Sequence, residues 1–179
     1  MNKETYTQLY NAVHHVQDVE EFYWLISEVE KLNPNIIIEI GVHHGGSLKF
    51  WEQILNPGDL LIGIDYGPQM DWDWEGSDRE IVIIKGRSES SSTVERVKEI
   101  LGERKADFVF LDGSHEYNIV KKDFNNFSPL LRVGGLMAIH DINTEREKAG
   151  RFFAELEAEY PDSTDKMLKV QGTGVWYKP

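Results

Sequence analysis

The chain contains no cysteine. That absence removes a disulfide framework, a thiolate zinc site and a cysteine nucleophile, and it points to a cytoplasmic location. No apolar run approaches the roughly 18 residues that a membrane helix needs. The opening MNKETYTQLY lacks the apolar core of a signal peptide, so no membrane partner is expected. Basic residues are in short supply, 19 against 31 acidic ones, which leaves a net charge of −12. Nucleic acids are drawn to basic patches, and here the longest are the pairs Lys121-Lys122 and Arg104-Lys105. Nucleic acid is therefore not expected as a partner, and a cationic small ligand suits the chain better. Internal repeats, low-complexity tracts and Pro/Gly linkers are missing as well.

What remains is 179 residues, 40% hydrophobic and 28% charged, enough for one domain with a real core. The first 33 residues read as helix. Asp18 with Glu21 resembles a capping pair, and Phe22, Leu25, Ile26 and Val29 share one face before Asn33-Pro34 stops the run. Alternation follows: NIIIEIGV, LLIGIDY, EIVIIKG, ADFVFLDG and GLMAIHDI read as strands. The helix-like stretches between them are GSLKFWEQIL, SSTVERVKEILG and YNIVKKDFNNFSPLL, with EREKAGRFFAELEAEY after the last strand. The ending, KMLKVQGTGVWYK, reads as two short strands around a glycine turn. Five apolar strands with helices between them predict an α/β, doubly wound parallel sheet covered on both faces. Ligands of such sheets bind outside the strand C-termini, which here read Glu39-Ile40-Gly41, Asp65, Gly86, Asp112 and His140-Asp141.

The first glycine turn, Gly41-x-x-x-Gly45-Gly46, departs from a dinucleotide fingerprint, with His43 where the second glycine would stand. Glu39 would meet a pyrophosphate with like charge, and the loop has no P-loop lysine before its helix begins. S-adenosylmethionine removes the conflict, because it has adenine and ribose but no phosphate and carries an ammonium and a sulfonium. On this reading the turn lets the backbone approach the ligand and Glu39 helps hold its cationic end. Taken alone, Glu39 reads equally as a buried, paired acid. Asp65 suits the two ribose hydroxyls and would repel a 2′-phosphate. Gly86-Arg87-Ser88 offers small polar groups where adenine would lie.

Asp112 and Asp141 stand at the ends of the fourth and fifth strands. If those strands are neighbours, about 4.8 Å apart, the two carboxylates and Asn143 can form an oxygen-rich site for a hard cation, Mg²⁺. The alternative is that Asp112 caps a helix or touches the cofactor while Asp141 binds loop amides. His115, three residues after Asp112, is a candidate base for a substrate hydroxyl, since a neutral imidazole can accept a proton near neutral pH. The pairs His14-His15 and His43-His44 have no acid at zinc-ligand spacing. Trp72 and Trp74, on the acidic loop after Asp65, could cover adenine or simply belong to a surface loop.

The succession E-I-G-x-x-x-G-G-S, G-I-D, L-D-G-S-H-E-Y and G-G-L-M-A-I-H-D resembles class I S-adenosylmethionine-dependent methyltransferases. Within them it is similar to the small-molecule O-methyltransferases of the cephalosporin-hydroxylase-like and macrocin-type group. The resemblance covers residues 36 to 142 and extends to the closing strand pair. It implies a Rossmann-like sheet of order 3-2-1-4-5-7-6 with strand 7 antiparallel, and one methyltransferase domain over 1–179, with N-terminal helices over 1–33 and the core over 34–179. Glu39, Gly41 and Gly45 would hold the methionyl part, Asp65 the ribose, and the Gly86 to Ser88 turn would lie by the adenine, with His43 and Ser47 also binding the cofactor. Asp112 would touch the cofactor and share catalysis with His115. Metal-dependent members carry acids matching Asp112 and Asp141, usually with an acid beside the latter, where this chain has His140. The activity implied is methyl transfer to a hydroxyl of a sugar, phenol or macrolide-like acceptor. A non-catalytic S-adenosylmethionine-binding module, or a partner subunit, is the alternative. The N-terminal helices are a surface on which a homo-oligomer could form.

Overall fold

The computed structural model describes residues 1–13, 17–71 and 73–179. His14, His15 and Trp72 fall outside these residues. Two helices open the chain, α1 (Lys3–Ala12) and α2 (Val19–Lys31). Each begins on a residue whose side chain accepts orphan backbone N–H groups. Asn2 accepts from Thr5, and Asp18 from Glu20 and Glu21. Phe22, Leu25, Ile26 and Val29 form the buried face of α2, as their spacing predicts.

Alternation follows in β1 (Ile36–Ile40), α3 (Gly46–Ile54), β2 (Leu60–Asp65), β3 (Glu80–Lys85), α4 (Ser91–Leu101), β4 (Ala106–Leu111), α5 (Tyr117–Phe127), β5 (Leu131–Ile139) and α6 (Ala149–Glu159). The chain closes with β6 (Thr164–Met167) and β7 (Thr173–Tyr177). The seven strands form one sheet in the order β3-β2-β1-β4-β5-β7-β6. β7 runs antiparallel to both β5 and β6, and the other pairs are parallel. Among the described residues no helix is long and apolar enough to cross a membrane.

The twofold alternation of a strand divides the core into two layers. Ile36, Ile38 and Ile40 of β1 pack with residues of α4, α5 and α6, including Val97, Phe127 and Phe153. Ile37 packs on the opposite face with Phe22 of α2 and Phe50 and Trp51 of α3. Glu39 shares that second face. A strand wholly buried on both sides reads as a nearly continuous apolar run, and β1 and β4 do so except at Glu39 and Asp107.

The structure departs from the sequence pattern at several points: α1 ends at Ala12 and α2 begins at Val19, β5 begins at Leu131, and β6 begins at Thr164. α6 starts at Ala149 rather than Glu145, because Ile142 and Asn143 donate backbone bonds to Gly172 and Gln171. Those bonds hold residues 142–144 against the loop before β7. Glu21 does not close a capping box on Asp18. Its buried carboxylate instead accepts N–H bonds from Lys169, Val170, Gln171 and Gly172. The N-terminal helices are thus tied to the loop that supports the end of β5.

Candidate active site

Sheet order reverses direction between β1 and β4, and there the crevice opens. Register brings the five strand ends to one edge: Ile40 pairs with Ile64 and Leu111, Leu111 with Ile139, and Asp65 with Lys85. The backbone ladder continues one residue beyond the strands through Gly41 N to Ile64 O, Asp112 N to Ile40 O and His140 N to Leu111 O. A cleft of about 570 Å³ lies over this edge.

Gly41 turns the chain out of β1 with φ +91°, and a Cβ there would lie 2.2 Å from the backbone oxygen of Asp112. Only glycine allows that approach. Gly45 (φ +80°) caps α3, and His43 also takes positive φ, +46°. His43 N donates to Asp65 Oδ2 at 2.9 Å and Gly67 N to Oδ1 at 2.7 Å. Asp65 thus binds two loops while keeping about two of its four lone-pair positions for a ligand.

Gly41, His43, Ser47, Asp65, Gly86, Ser88, Asp112, His115 and Asp141 all line the cleft. Gly45 and Glu39 do not. Glu39 is placed differently from the ligand-facing position expected of it. It is fully buried, with Ser47 Oγ donating to Oε1 and Trp51 Nε1 to Oε2 at 2.7 Å. Strand alternation aims it under the first turn of α3, so it fixes the far side of the glycine turn. Burial, opposed by these two bonds, drives its pKa up to about 8. Buried beneath the turn, it presents no carboxylate oxygen to the cleft.

This raised value has a consequence for stability. A carboxyl with a higher pKa in the folded state holds its proton more tightly there, so its contribution is greatest below the unfolded value, near 4.5. Stability should then fall as pH rises toward 8, by at most about 1.4 kcal/mol per unit from this group. Glu39→Gln, which can still accept from Trp51 and donate to Ser47, should flatten that decline in denaturant midpoints. An unchanged slope in the variant would refute the assignment.

At the other end of the cleft, Asp112 Oδ2 accepts from Gln17 Nε2 at 2.6 Å. Its Oδ1 lies 2.8 Å from His140 Nδ1, which is also 3.3 Å from Asp141 Oδ2. Burial alone would lower the His140 pKa, but the carboxylates of Asp112 and Asp141 outweigh it and push it up to about 10. Asp141 has φ +59°. Its burial raises the carboxyl pKa, yet bonds from His140 and Thr144 bring it down to about 2. His115 Nε2 stands 3.3 Å from Asp141 Oδ2.

For a cation, the donor set fits in part. Asp112, His115 and Asp141 each offer one ligand atom, all within 4.8 Å of one another. A metal taking Asp112 must compete with the nitrogens of Gln17 and His140, and an imidazole in the set departs from the all-oxygen shell of Mg²⁺. Asn143 donates to Val170 O and accepts from Arg146. For a cationic nucleoside the fit is closer. Among the described lining residues Arg87 is the one guanidinium, paired with Glu89, and there is no lysine. Trp74 packs under Lys49 Nζ, 4.1 Å from the ring centroid, and does not line the cleft.

Sequence reasoning missed Gln17, since a glutamine in a connection carries no spacing signal. His140, which the sequence presents as a weak metal ligand, stands within ion-pair distance of both carboxylates.

Known proteins resemble this chain in sequence and in fold. The family model Rhamnosyl O-methyltransferase/CmcI matches residues 2–156. Catechol O-methyltransferase B of Danio rerio is 27% identical over 124 residues, 66% of this chain and 46% of its own length. Rhamnosyl O-methyltransferase of Mycobacterium tuberculosis is 24% identical over 146 residues, 79% of this chain and 58% of its own. The chain therefore spans about half the length of these curated relatives. Among solved structures, an O-methyltransferase from Bacillus cereus in complex with SAH superposes with TM-score 0.70 at 16% identity, over 99% of this chain and 92% of that one. The MycE methyltransferase of mycinamycin biosynthesis, in complex with Mg, SAH and mycinamycin VI, gives 0.67 at 20% identity, over 98% and 54%. With the family model matching most of its residues, the chain belongs to the Rhamnosyl O-methyltransferase/CmcI family.

Proposed function

We propose that this protein transfers a methyl group from S-adenosylmethionine to a hydroxyl of a small acceptor such as a sugar, phenol or macrolide. One observation carries the reading: a glycine turn closed onto the Asp112 backbone, between Asp65 and Asp112, in a cleft without a free cation for phosphate among its described residues. S-adenosylmethionine, when bound, supplies the methyl group as a sulfonium. The chain's own part is placement. Asp65 accepts the ribose hydroxyls, the Gly86–Ser88 turn takes the adenine, and the Gly41 turn and Asp112 take the methionyl end. His115 accepts the proton of the acceptor hydroxyl, and Asp141, 3.3 Å from its Nε2, stabilises the imidazolium that forms. Holding both reactants in line supplies much of the rate. Residues 1–33 and 34–179 work as one unit in this reading, which is supported by the Gln17–Asp112 and Glu21–169–172 bonds.

A second reading, a divalent cation held by Asp112 and Asp141, draws on the convergence of donor atoms and on the Mg of the MycE complex. Such an ion would lower the pKa of a bound hydroxyl.

Calorimetry should show S-adenosylmethionine and S-adenosylhomocysteine binding while NAD and ATP stay silent. NAD binding as tight or tighter would sink the reading. Asp65→Ala should weaken the cofactor by roughly 10–100-fold, the worth of charge-assisted hydrogen bonds, and Asp65→Asn by less. Labelled S-adenosylmethionine incubated with sugars, phenols and macrolides distinguishes the enzyme from a binding module that transfers nothing.

A further inference from the structure

Behind the turn assigned to adenine lies a buried acid that the mechanism above does not use. Asp123, on α5, is 2% exposed. Its Oδ2 accepts from Ser88 Oγ at 2.9 Å, and its Oδ1 is buried without a hydrogen-bond partner. Ser88 itself lines the cleft just past the end of β3. An ionised carboxylate can only accept, so its bond to Ser88 consumes the single hydroxyl proton. Ser88 is left with lone pairs alone, and the pair together presents acceptors and no free donor.

A purine discriminates sharply between such environments. The exocyclic amine of adenine donates, whereas the carbonyl at the same position of hypoxanthine accepts. We infer that Asp123 is a positioning residue: by taking the Ser88 proton it makes Ser88 an obligate acceptor and selects an adenine amine over a purine carbonyl. The inference rests on the Gly86–Ser88 turn being the adenine end of the proposed cofactor site. Burial, the largest influence, and Glu89 push the Asp123 pKa up to about 7, against the Ser88 bond and Lys122. The carboxylate is therefore ionised at about pH 8.5 and protonated at about pH 5.5.

The test compares S-adenosylhomocysteine with its deaminated analogue, S-inosylhomocysteine, by calorimetry at about pH 8.5. The wild-type protein should prefer the adenine ligand by about tenfold or more, the worth of one hydrogen bond and the loss of a lone-pair clash. Asp123→Asn restores a donor to the pair and should bring the ratio within about threefold, chiefly by weakening the adenine ligand. In a Ser88→Ala background Asp123→Asn should change the ratio no further, since the two act through one contact. Should Asp123→Asn fail to fold, the wild-type ratio at about pH 5.5 takes its place and should collapse in the same way. Binding of neither ligand would refute the cofactor site itself. Binding of both with equal affinity, or an Asp123→Asn variant that keeps the ratio or weakens both ligands alike, would overturn the role of Asp123 and leave the cofactor site standing.

Discussion

Replacing His115 with alanine is expected to reduce methyl transfer by roughly 10²–10⁴-fold, the usual contribution of a positioned general base. Affinity for S-adenosylhomocysteine should stay within about twofold, because no bond to the glycine turn is lost. His115 follows Asp112 by three residues, lines the cleft, and has Asp141 3.3 Å from its Nε2. Asp141→Asn should lower turnover by a smaller factor, since it removes the charge that stabilises the imidazolium but leaves the base. Treatment with EDTA separates this from the cation reading. If His115 carries the proton, chelation leaves turnover unchanged. If chelation abolishes transfer while cofactor affinity survives, and Mn²⁺ restores it, the chemistry belongs to Asp112 and Asp141 instead. A His115→Ala protein with wild-type turnover would remove the base.

Gly41→Ala should cost about 3–5 kcal/mol of stability. Two penalties add. The φ of +91° is strained for any residue with a Cβ, by about 1–2 kcal/mol. The added carbon would also stand 2.2 Å from Asp112 O, 2.5 Å from Asp112 C and 2.6 Å from Gly113 Cα. Those atoms are backbone beyond the end of β4 and cannot rotate aside, so the chain itself must move, at about 2–3 kcal/mol. For a domain of this size the sum lowers Tm by roughly 6–20 °C. Gly58→Ala provides the control, because it shares a positive φ, +84°, but meets nothing within 4 Å. It should lose only the conformational term, roughly 2–8 °C. Equal melting of the two variants would show that the close approach to β4 is not what requires glycine. A Gly41→Ala protein that folds should also bind S-adenosylhomocysteine poorly, since Gly41 and Asp112 would be pushed apart.

The sequence by itself determined the elements and the edge on which they meet. Each apolar strand is a local pattern, and Gly41, Asp65, Asp112 and Asp141 announce its end by a change of residue type. A parallel sheet then places all those ends together, because the helical crossovers return each strand in the same direction. The resemblance in the motifs supplied the strand order, including the antiparallel β7, which no periodicity could give.

Tertiary structure alone decided which way the acids face. Glu39 is two residues from Gly41, yet strand alternation and the position of α3 put it beneath the cleft, bonded to Ser47 and Trp51, rather than in it. Gln17 reaches Asp112 across 95 residues of chain, and Glu21 binds loop amides up to 151 residues away. His140 becomes the bridge between Asp112 and Asp141 only because β4 and β5 pair in register. Such contacts depend on which surfaces the folded chain brings together. Local propensity and residue spacing carry no record of them, because those describe a residue's relation to its neighbours in sequence, and the charge, exposure and hydrogen-bond direction of a buried polar group are set by its neighbours in space.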